Sequence, residues 1–279
     1  TRSRQVTGVQ TCALPIYGVF SAPPQWAVDS IKGYEGHTWA PDIIYYKGNY
    51  HLFYSCSAFG KNTSAIGHAY RRTLNPDSDE PWTDTGAVIV SHARDNFNAI
   101  DPNIVIDEEG NPWMTFGSFW GGIQLVRLTE DLTSTLKPEK LYTICTRQFE
   151  GASDVPSRSV NSVEAPFIFK HGDYYYLFVS YDFCCRGLKS DYKVVVGRST
   201  RVTGPYVDKD GRELTRGGGS LVVDSNDEFV AIGHSAAYHF DGKDYFMAHG
   251  YSRSEDGASK LFFREMTWDE EGWPFVSAE

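Results

Sequence analysis

The sequence lacks the features of several protein classes. No apolar run reaches the ~18–20 residues that a membrane-spanning helix requires. Lys and Arg (26) are fewer than Asp and Glu (36), and the formal net charge of -10 disfavours an extended phosphate backbone as a partner. The apolar periodicity of helices is almost absent. We therefore expect an all-β protein that has neither a nucleic acid nor a membrane as its partner.

Cysteine is also sparse. The five cysteines form no CxxC pair and no spacing of the zinc-binding type, and their odd number does not suit a framework of disulfides. Two of them, Cys184 and Cys185, are adjacent. Such a pair is open to a vicinal disulfide or to two reduced thiols at the end of a strand, and we favour the reduced thiols.

Aromatic residues are plentiful, with 17 Tyr, 17 Phe and 7 Trp. Aromatic side chains pack well on a pleated sheet, so most of them are expected in β-structure. Flat rings also match the apolar faces of sugars, which leaves carbohydrate binding open for the remainder. The hydrophobic fraction of 41% is sufficient for a sizeable core.

Four segments repeat one pattern. Each begins with a short polar stretch, here called the opener, and continues with an apolar strand, a turn with Gly and an aromatic return strand. They read HTWAPDIIYYKGNYHLFYS, NAIDPNIVIDEEGNPWMTFGSFW, SVEAPFIFKHGDYYYLFVSYD and GHSAAYHFDGKDYFMAHGY. The first openers are about 60 residues apart, more than the ~40–50 residues of common propeller repeats. Two further strand-like stretches follow each hairpin, so each repeat predicts a four-stranded propeller blade. A β-sandwich is the alternative, but it does not explain why one opener precedes one hairpin four times.

The N-terminal residues depart from this pattern. Residues 1–16 show neither strand alternation nor turn signals, resemble translated sequencing-adapter sequence, and are expected to be a non-native or disordered leader. Residues 17–35 contain a Pro-Pro pair and Gly33, which predict an irregular loop, with Trp26 packed under the next blade. Residues 17–279 are thus expected to form one propeller domain with an incomplete first blade.

The openers carry the candidate chemistry. In a propeller the innermost strand of each blade lines the axis, so the openers would bring Asp101, Glu164 and His234 to the central mouth, with Asp42 slightly further along. Neighbouring carboxylates push each other's pKa values apart, so that one stays protonated while another stays ionised. Glycoside hydrolysis needs that combination, because an acid protonates the leaving oxygen and a base activates water.

Each of these residues also has a structural interpretation. Asp before Pro commonly forms turns, which suits Asp101, and His234 suits a buried histidine with satisfied hydrogen bonds. Asp42 is expected to make a local hydrogen bond. Glu164 is harder to explain structurally, because it enters an apolar strand with no basic neighbour in the sequence. The recurrence at matching points of one repeat favours the functional interpretation.

Seven segments together resemble the endo-α-1,5-L-arabinanases of glycoside hydrolase family 43. They are GHTWAPDI, SCSAFGKNTSAIG, FNAIDPN, GNPWMTFGSFWGGI, VEAPFIFK, DFCCRG and VVVGRS, and the likeness extends from about Val19 to Trp273. The resemblance implies a five-bladed β-propeller, of which this chain would hold about four complete blades. It also implies cleavage of internal α-1,5 bonds of arabinan with inversion. We accordingly expect arabinan or arabino-oligosaccharides as partners of a secreted monomer.

The resemblance assigns roles to particular residues. Glu164 would be the general acid, and Asp101 would be the carboxylate that raises the pKa of the acid and fixes its orientation. His234 would lie near a bound metal, usually calcium and often held through water. Phe59 would stack on the sugar, and the other residues expected to bind substrate are Trp39, Gly60, Asn98, Ala99, Ile100, Ser118, Phe119 and Trp120.

The sequence departs from the family pattern at the general base. The family carries this aspartate in an early motif of the type His-Asp-Pro-Ser, which is absent here, and neither Asp29 nor Asp42 matches it. A positioned general base contributes about 10²–10⁴-fold in rate, so we expect little activity from the chain as written. Two alternatives stay open, namely an exo-acting α-L-arabinofuranosidase or β-xylosidase of the same family, and a non-catalytic carbohydrate-binding propeller.

Overall fold

The computed structural model describes residues 19–147 and 161–277, so the predicted leader at residues 1–16 lies outside the described part. The described strands are β1 (Thr38–Tyr46), β2 (Asn49–Cys56), β3 (Ser64–Arg71), β4 (Thr83–Ser91), β5 (Asn103–Ile106), β6 (Pro112–Phe116), β7 (Ile123–Arg127), β8 (Tyr142–Cys145), β9 (Val163–His171), β10 (Tyr174–Tyr181), β11 (Lys193–Ser199), β12 (Ser220–Val223), β13 (Phe229–Phe240), β14 (Lys243–Ser252), β15 (Ser259–Trp268) and β16 (Pro274–Val276). The described helical elements are α1 (Gln25–Ser30) and two 3₁₀ turns, Gly187–Lys189 and Leu214–Arg216.

These strands form four four-stranded sheets, and in each sheet the strands lie side by side in chain order. Sheet 1 holds β1–β4, sheet 2 holds β5–β8, sheet 3 holds β9–β12 and sheet 4 holds β13–β16. Neighbouring strands are antiparallel throughout sheets 1, 3 and 4 and from β5 to β7. This is the up-and-down topology of a propeller blade, so the prediction of all-β structure with four blade-like sheets is confirmed.

The predicted hairpin turns are present between the first two strands of each sheet. In sheet 1, Lys47 and Gly48 have φ angles of 46° and 87°, and in sheet 4, Asp241 and Gly242 have 53° and 74°. Two successive residues with positive φ form the type I′ turn, whose twist matches that of paired strands and which favours glycine. The turn residues therefore determine the register of these two hairpins.

The region before β1 differs from the expectation. Residues 25–30 form the short helix α1 instead of an irregular loop, with Pro24 at its N-cap position. A proline there is compatible with helix initiation, because its fixed φ and missing N–H cost nothing at the first turn. Trp26 is partly buried against sheet 1 and donates from Nε1 to the Tyr54 hydroxyl at 3.2 Å, which confirms its predicted packing. No helix in the described ranges is long and apolar enough to cross a membrane.

The chain divides into two compact units. Of the described residues, 19–120 and 124–142 belong to the first unit, and 121–123, 143–147 and 161–277 belong to the second. The core of the first unit lies between sheets 1 and 2 and includes the buried side chains of Phe53, Ile66, Met114, Phe116 and Val126. The core of the second unit lies between sheets 3 and 4 and includes Phe167, Tyr176, Phe178, Phe246 and Phe262. Burying one such side chain contributes about 1.5–3 kcal/mol.

Candidate active site

Asp101 lies in the first unit, two residues before the start of β5. Its backbone has a φ angle of 57°, and its surface is only 7% exposed. The backbone N–H of Asp101 donates to Oγ of Ser55 on β2 at 3.0 Å. A left-handed conformation costs a residue with a Cβ atom roughly 1–2 kcal/mol, so it persists only where the surroundings hold it. Ser55 is therefore one of the groups that hold the backbone of Asp101, and with it the position of the carboxylate.

The neighbouring residues 98–100 are buried in the same unit. Oδ1 of Asn98 accepts a hydrogen bond from Oγ of Ser64 at 2.7 Å. Ala99 has no exposed surface and belongs to the core, and its N–H donates to Oγ of Ser91 at 2.9 Å. Ile100 is 6% exposed, and its N–H donates to the carbonyl of Asn98 at 3.0 Å. These contacts hold the segment that leads to Asp101 against β3 and β4.

Trp39, Phe59 and Gly60 lie at the same end of sheet 1. Trp39 is half-buried on β1 and pairs with Ser55 on β2, the serine that holds Asp101. Phe59 follows β2 in a loop that contains Gly60, whose φ angle is 75°. The side chain of Phe59 is 80% exposed. An exposed ring of this size costs free energy in water, and stacking on the apolar face of a sugar would remove that cost.

Residues 118–120 follow β6. Ser118 is buried, whereas Phe119 and Trp120 are half-buried and have φ angles of 55° and 41°. Two consecutive aromatic residues in the left-handed region are uncommon, because each pays a steric penalty. Backbone strain of this kind tends to occur at functional sites. The structure thus places these predicted residues on a strained turn of the first unit.

Asp42 makes long-range hydrogen bonds in addition to any local one that its sequence position predicts. Its Oδ2 accepts the N–H of Ile104 at 2.8 Å and Nδ2 of Asn103 at 3.2 Å, and these two partners lie about 60 residues away. The carboxylate thereby joins β1 to β5 and is 7% exposed. Asp29 lies on α1, where it is exposed and accepts Nε2 of Gln25 at 2.8 Å. Neither contact gives these residues the role of a general base.

Glu164 lies in the second unit, near the start of β9, and is half-buried. It pairs with Ser180 on β10 beside a register shift, and the next residue, Ala165, has a φ angle of 53°. Oε1 of Glu164 accepts the hydroxyl of Tyr192 at 2.7 Å. A β-bulge redirects side chains locally, so the irregularity of β9 determines how this carboxylate is presented.

His234 lies in a bulged part of β13 and has a φ angle of 52°. Its backbone N–H donates to Oγ of Ser180 at 2.8 Å. Burial lowers the pKa of His234, with the charge of Glu164 acting in the opposite direction. Burial and the neighbouring His234 lower the pKa of His249 to about 4. Burial therefore favours the neutral form of both imidazoles.

The residues around His234 do not make a calcium site by themselves. A neutral imidazole is able to bind a metal through nitrogen, but Ca²⁺ prefers about six to eight oxygen ligands. Within residues 19–147 and 161–277, no three His, Cys, Asp or Glu side chains converge as metal ligands. Calcium near His234 therefore stays a prediction, and no step of the chemistry depends on it.

The adjacent cysteines form a disulfide, so the expectation of two reduced thiols is wrong. Cys184 packs against Tyr192 and Tyr251 in a small hydrophobic cluster, and the N–H of Cys185 donates to the Tyr251 hydroxyl at 2.6 Å. The disulfide is thus part of the surroundings of Tyr192, which contacts Glu164. Adjacency of two cysteines is compatible with both states, and only the folded chain distinguishes them.

Sequence reasoning missed three residues that support the site, namely Ser55, Ser180 and Tyr192. A signal for the serines is present, because each follows Leu-Phe-X in the aromatic return strand of its repeat, in LFYS and LFVS. Tyr192 has no such signal. It lies directly before β11, outside any repeated motif, and its contact with Glu164 joins residues that are 28 positions apart in the sequence.

Glu164 is thus a half-buried carboxylate near the start of the first strand of its sheet, beside a β-bulge. The model of the family described as "Glycosyl hydrolases family 43" matches residues 17–274. The chain therefore belongs to glycoside hydrolase family 43, as its sequence motifs predict.

Several relatives and solved structures support this membership. The chain is 48% identical over 259 residues to an extracellular exo-α-(1→5)-L-arabinofuranosidase of Cellvibrio japonicus, covering 92% of this chain and 75% of the relative. It is 40% identical to an extracellular endo-α-(1→5)-L-arabinanase of Bacillus subtilis, covering 92% of this chain and 74% of that one. The structure of a Cellvibrio cellulosa α-L-arabinanase complexed with arabinohexaose is 48% identical, with a TM-score of 0.88 and coverage of 93% and 83%.

Proposed function

We propose that this protein hydrolyses α-1,5-L-arabinofuranosidic bonds of arabinan and arabino-oligosaccharides. The observation that carries the proposal is the half-buried carboxylate of Glu164, held at 2.7 Å by the Tyr192 hydroxyl at the start of β9. Two relatives with extracellular activity on α-1,5-linked arabinose support the substrate class and also support secretion. The five-bladed assembly, the monomeric state and the single propeller domain stay part of this proposal.

In the proposed reaction Glu164 is the general acid. It gives its proton to O5 of the leaving arabinose unit while the bond from C1 to O5 breaks. A water oxygen forms the new bond at C1 from the opposite face, which inverts the anomeric configuration, and the proton of that water passes to a general base. We assign this base to neither Asp29 nor Asp42. Asp101 keeps its proposed role as the carboxylate that raises the pKa of the acid.

We propose that the protein cleaves internal bonds of arabinan (endo action). Cleavage from a chain end (exo action) is the second candidate. The exo candidate is favoured by the higher identity of 48% to an exo-arabinofuranosidase, against 40% to an endo-arabinanase. Product analysis on debranched arabinan separates them. Early release of a ladder of oligosaccharides is expected for endo action, whereas steady release of one product size from the start would indicate exo action.

The acid role of Glu164 predicts a dependence on the leaving group. Glu164→Gln should lower the turnover of arabino-oligosaccharides by about 10²–10⁴-fold, because their alkoxide leaving group needs a proton. Turnover of 4-nitrophenyl α-L-arabinofuranoside should fall much less, because nitrophenolate leaves without full protonation. Glu265→Gln is the matched control, since Glu265 is an exposed residue of sheet 4 that pairs with Lys243. Equal losses on both substrates would contradict the proposal.

Sodium azide adapts this assay to a chain in which no base is assigned. Azide is a nucleophile that needs no deprotonation, so it replaces both water and base in the displacement. With the nitrophenyl substrate, the expected product is the β-configured arabinofuranosyl azide, identified by proton NMR. Formation of the α-azide would argue against inversion, and hydrolysis at an ordinary enzyme rate without added azide would show that the chain supplies a base. Binding of arabino-oligosaccharide without any turnover would favour the non-catalytic alternative.

A further inference from the structure

We propose that Tyr192 is a positioning residue for the general acid and sets which oxygen of Glu164 carries the transferable proton. This inference rests on the proposed function, because it assumes that Glu164 donates the proton. The hydroxyl of Tyr192 donates to Oε1 of Glu164 at 2.7 Å. When the carboxyl group is neutral, Oε1 accepts this bond and the acid proton resides on Oε2. The phenol thereby selects one orientation of the acid.

The ring of Tyr192 is held on one side by the backbone of β13. Tyr192 has no exposed surface. A Cβ atom added to Gly233 would lie 2.0 Å from Cδ1 and 2.3 Å from Cε1 of this ring. Gly233 does not have a positive φ angle, so the close approach of the ring, and not the backbone conformation, requires glycine here. Gly233 also directly precedes His234 in the sequence.

The ring also belongs to a small hydrophobic cluster. Val230, Ala231 and Tyr251 are buried against Tyr192, and Cys184 packs on the same cluster. The Tyr251 hydroxyl accepts the N–H of Cys185 at 2.6 Å, which ties the disulfide turn to this cluster. Close packing of this kind leaves a side chain little rotational freedom, so the hydroxyl of Tyr192 is held at a defined point beside Glu164.

Tyr192→Phe tests the inference, because it removes one oxygen and leaves the ring. A donor to a carboxylate stabilises the ionised form, so its loss should raise the pKa of Glu164 by about one unit. The measurement is a ¹³C NMR titration of protein labelled on the glutamate side chains, with the Glu164 resonance assigned from Glu164→Gln. The alkaline limb of the pH–rate profile should move in the same direction. We expect kcat on arabino-oligosaccharides to fall about 10- to 100-fold with little change in KM.

Tyr206→Phe is the matched control for a structural role. Tyr206 is buried in the same unit, and its hydroxyl donates to the carbonyl of Val202 at 2.8 Å, so this variant also loses one buried hydrogen bond. It should leave the titration of Glu164 and the pH–rate profile unchanged. A shift of the Glu164 titration in Tyr206→Phe equal to that in Tyr192→Phe would overturn the inference, because a general loss of stability would then explain both.

Gly233→Ala provides a second, independent variant. The added methyl group displaces the Tyr192 ring while the phenol remains, so kcat should fall as in Tyr192→Phe. In the double variant, kcat should then fall by much less than the product of the two separate fold-losses. The inference would be overturned if the two fold-losses in kcat simply multiply. It would also be overturned if Tyr192→Phe keeps the Glu164 titration and the pH–rate profile of the parent. The proposed function fails separately, if Glu164→Gln shows no dependence on the leaving group.

Discussion

The hydroxyl of Ser180 accepts the backbone N–H of His234 at 2.8 Å across 54 residues of sequence. Ser55 and Asp101 make the same contact in the first unit, at 3.0 Å across 46 residues. Both serines are fully buried on the second strand of one sheet, and both partners have a positive φ angle. Asp101 lies just before the first strand of the next sheet, and His234 lies within the first strand of the next sheet. A left-handed residue leaves the regular ladder, so its N–H needs a partner outside the ladder. The serine provides that partner in each unit.

Removing this serine is expected to destabilise the fold. Ser180→Ala leaves the buried N–H of His234 without its hydroxyl partner, which should lower the free energy of unfolding by about 1–3 kcal/mol. Urea denaturation followed by tryptophan fluorescence measures the change. Ser55→Ala should have an effect of similar size in the first unit. Exposed Ser254→Ala is the control, expected within about 0.5 kcal/mol of the parent. A Ser180→Ala protein as stable as this control would show that the contact contributes nothing.

A buried histidine pair in sheet 1 predicts acid sensitivity. Nδ1 of His51 lies 2.9 Å from Nε2 of His68, and Nδ1 of His68 lies 2.7 Å from Oγ1 of Thr85. Burial and the neighbouring His51 lower the pKa of His68 to about 4, with Asp131 acting in the opposite direction. In the unfolded chain a histidine has a pKa of about 6.5. Between these values the unfolded state binds more protons, so the free energy of unfolding should fall as the pH falls.

Urea titrations at pH values from 7 to 4 test this expectation. His68→Gln removes the group, so the decrease of stability with acid should become shallower by the contribution of one proton, up to about 1.4 kcal/mol per pH unit. Part of the decrease should persist, because burial also lowers the pKa of His249 to about 4. Exposed His92→Gln is the control and should keep the slope of the parent. If the free energy of unfolding of His68→Gln falls with acid as steeply as that of the parent, then His68 is not the source of the acid sensitivity.

Gly67 allows α1 to dock on sheet 1. A Cβ atom on this glycine of β3 would lie 2.4 Å from Cζ of Tyr54 and 2.7 Å from Cζ2 of Trp26. Gly67→Ala should therefore push both rings away and lower the free energy of unfolding by about 1–3 kcal/mol, as overpacking commonly does. A change in the near-ultraviolet circular dichroism should accompany the loss. An unchanged spectrum and an unchanged stability would mean that the rings adapt without cost.

The disulfide between Cys184 and Cys185 should matter more for activity than for stability. A bond between adjacent residues closes almost no loop, so it removes little entropy from the unfolded chain. The double change Cys184→Ser and Cys185→Ser should consequently shift Tm little. Turnover should fall, because the turn contacts Tyr251 and the Tyr192 cluster. Buried Cys145→Ser is the control for replacement of a cysteine sulfur by oxygen outside the disulfide. A large drop in Tm with full activity would contradict this expectation.

Much of the local structure was predictable. Alternation of apolar and polar residues around Gly-containing turns indicates the hairpins, and the structure confirms those at Lys47-Gly48 and Asp241-Gly242. The same pattern places Glu164 near the beginning of the first strand of its sheet, where the structure has it. Helix α1 was missed because six residues are too few to show a helical period, and packing of Trp26 on Tyr54 stabilises it. The partners of Asp42 were missed because they lie on another sheet.

The amino-acid sequence by itself determined the four repeats, their turns and the family, because these depend on residues close together in the chain. Only the tertiary structure decided which distant groups meet. Ser180 meets His234 across two sheets, and Tyr192 meets Glu164 within one sheet. The folded chain also decided that the two adjacent cysteines are joined. Sequence periodicity tells which face of a strand is buried, but it carries no information about which distant group will complete a buried hydrogen bond. Folding brings those groups together, and packing holds them there.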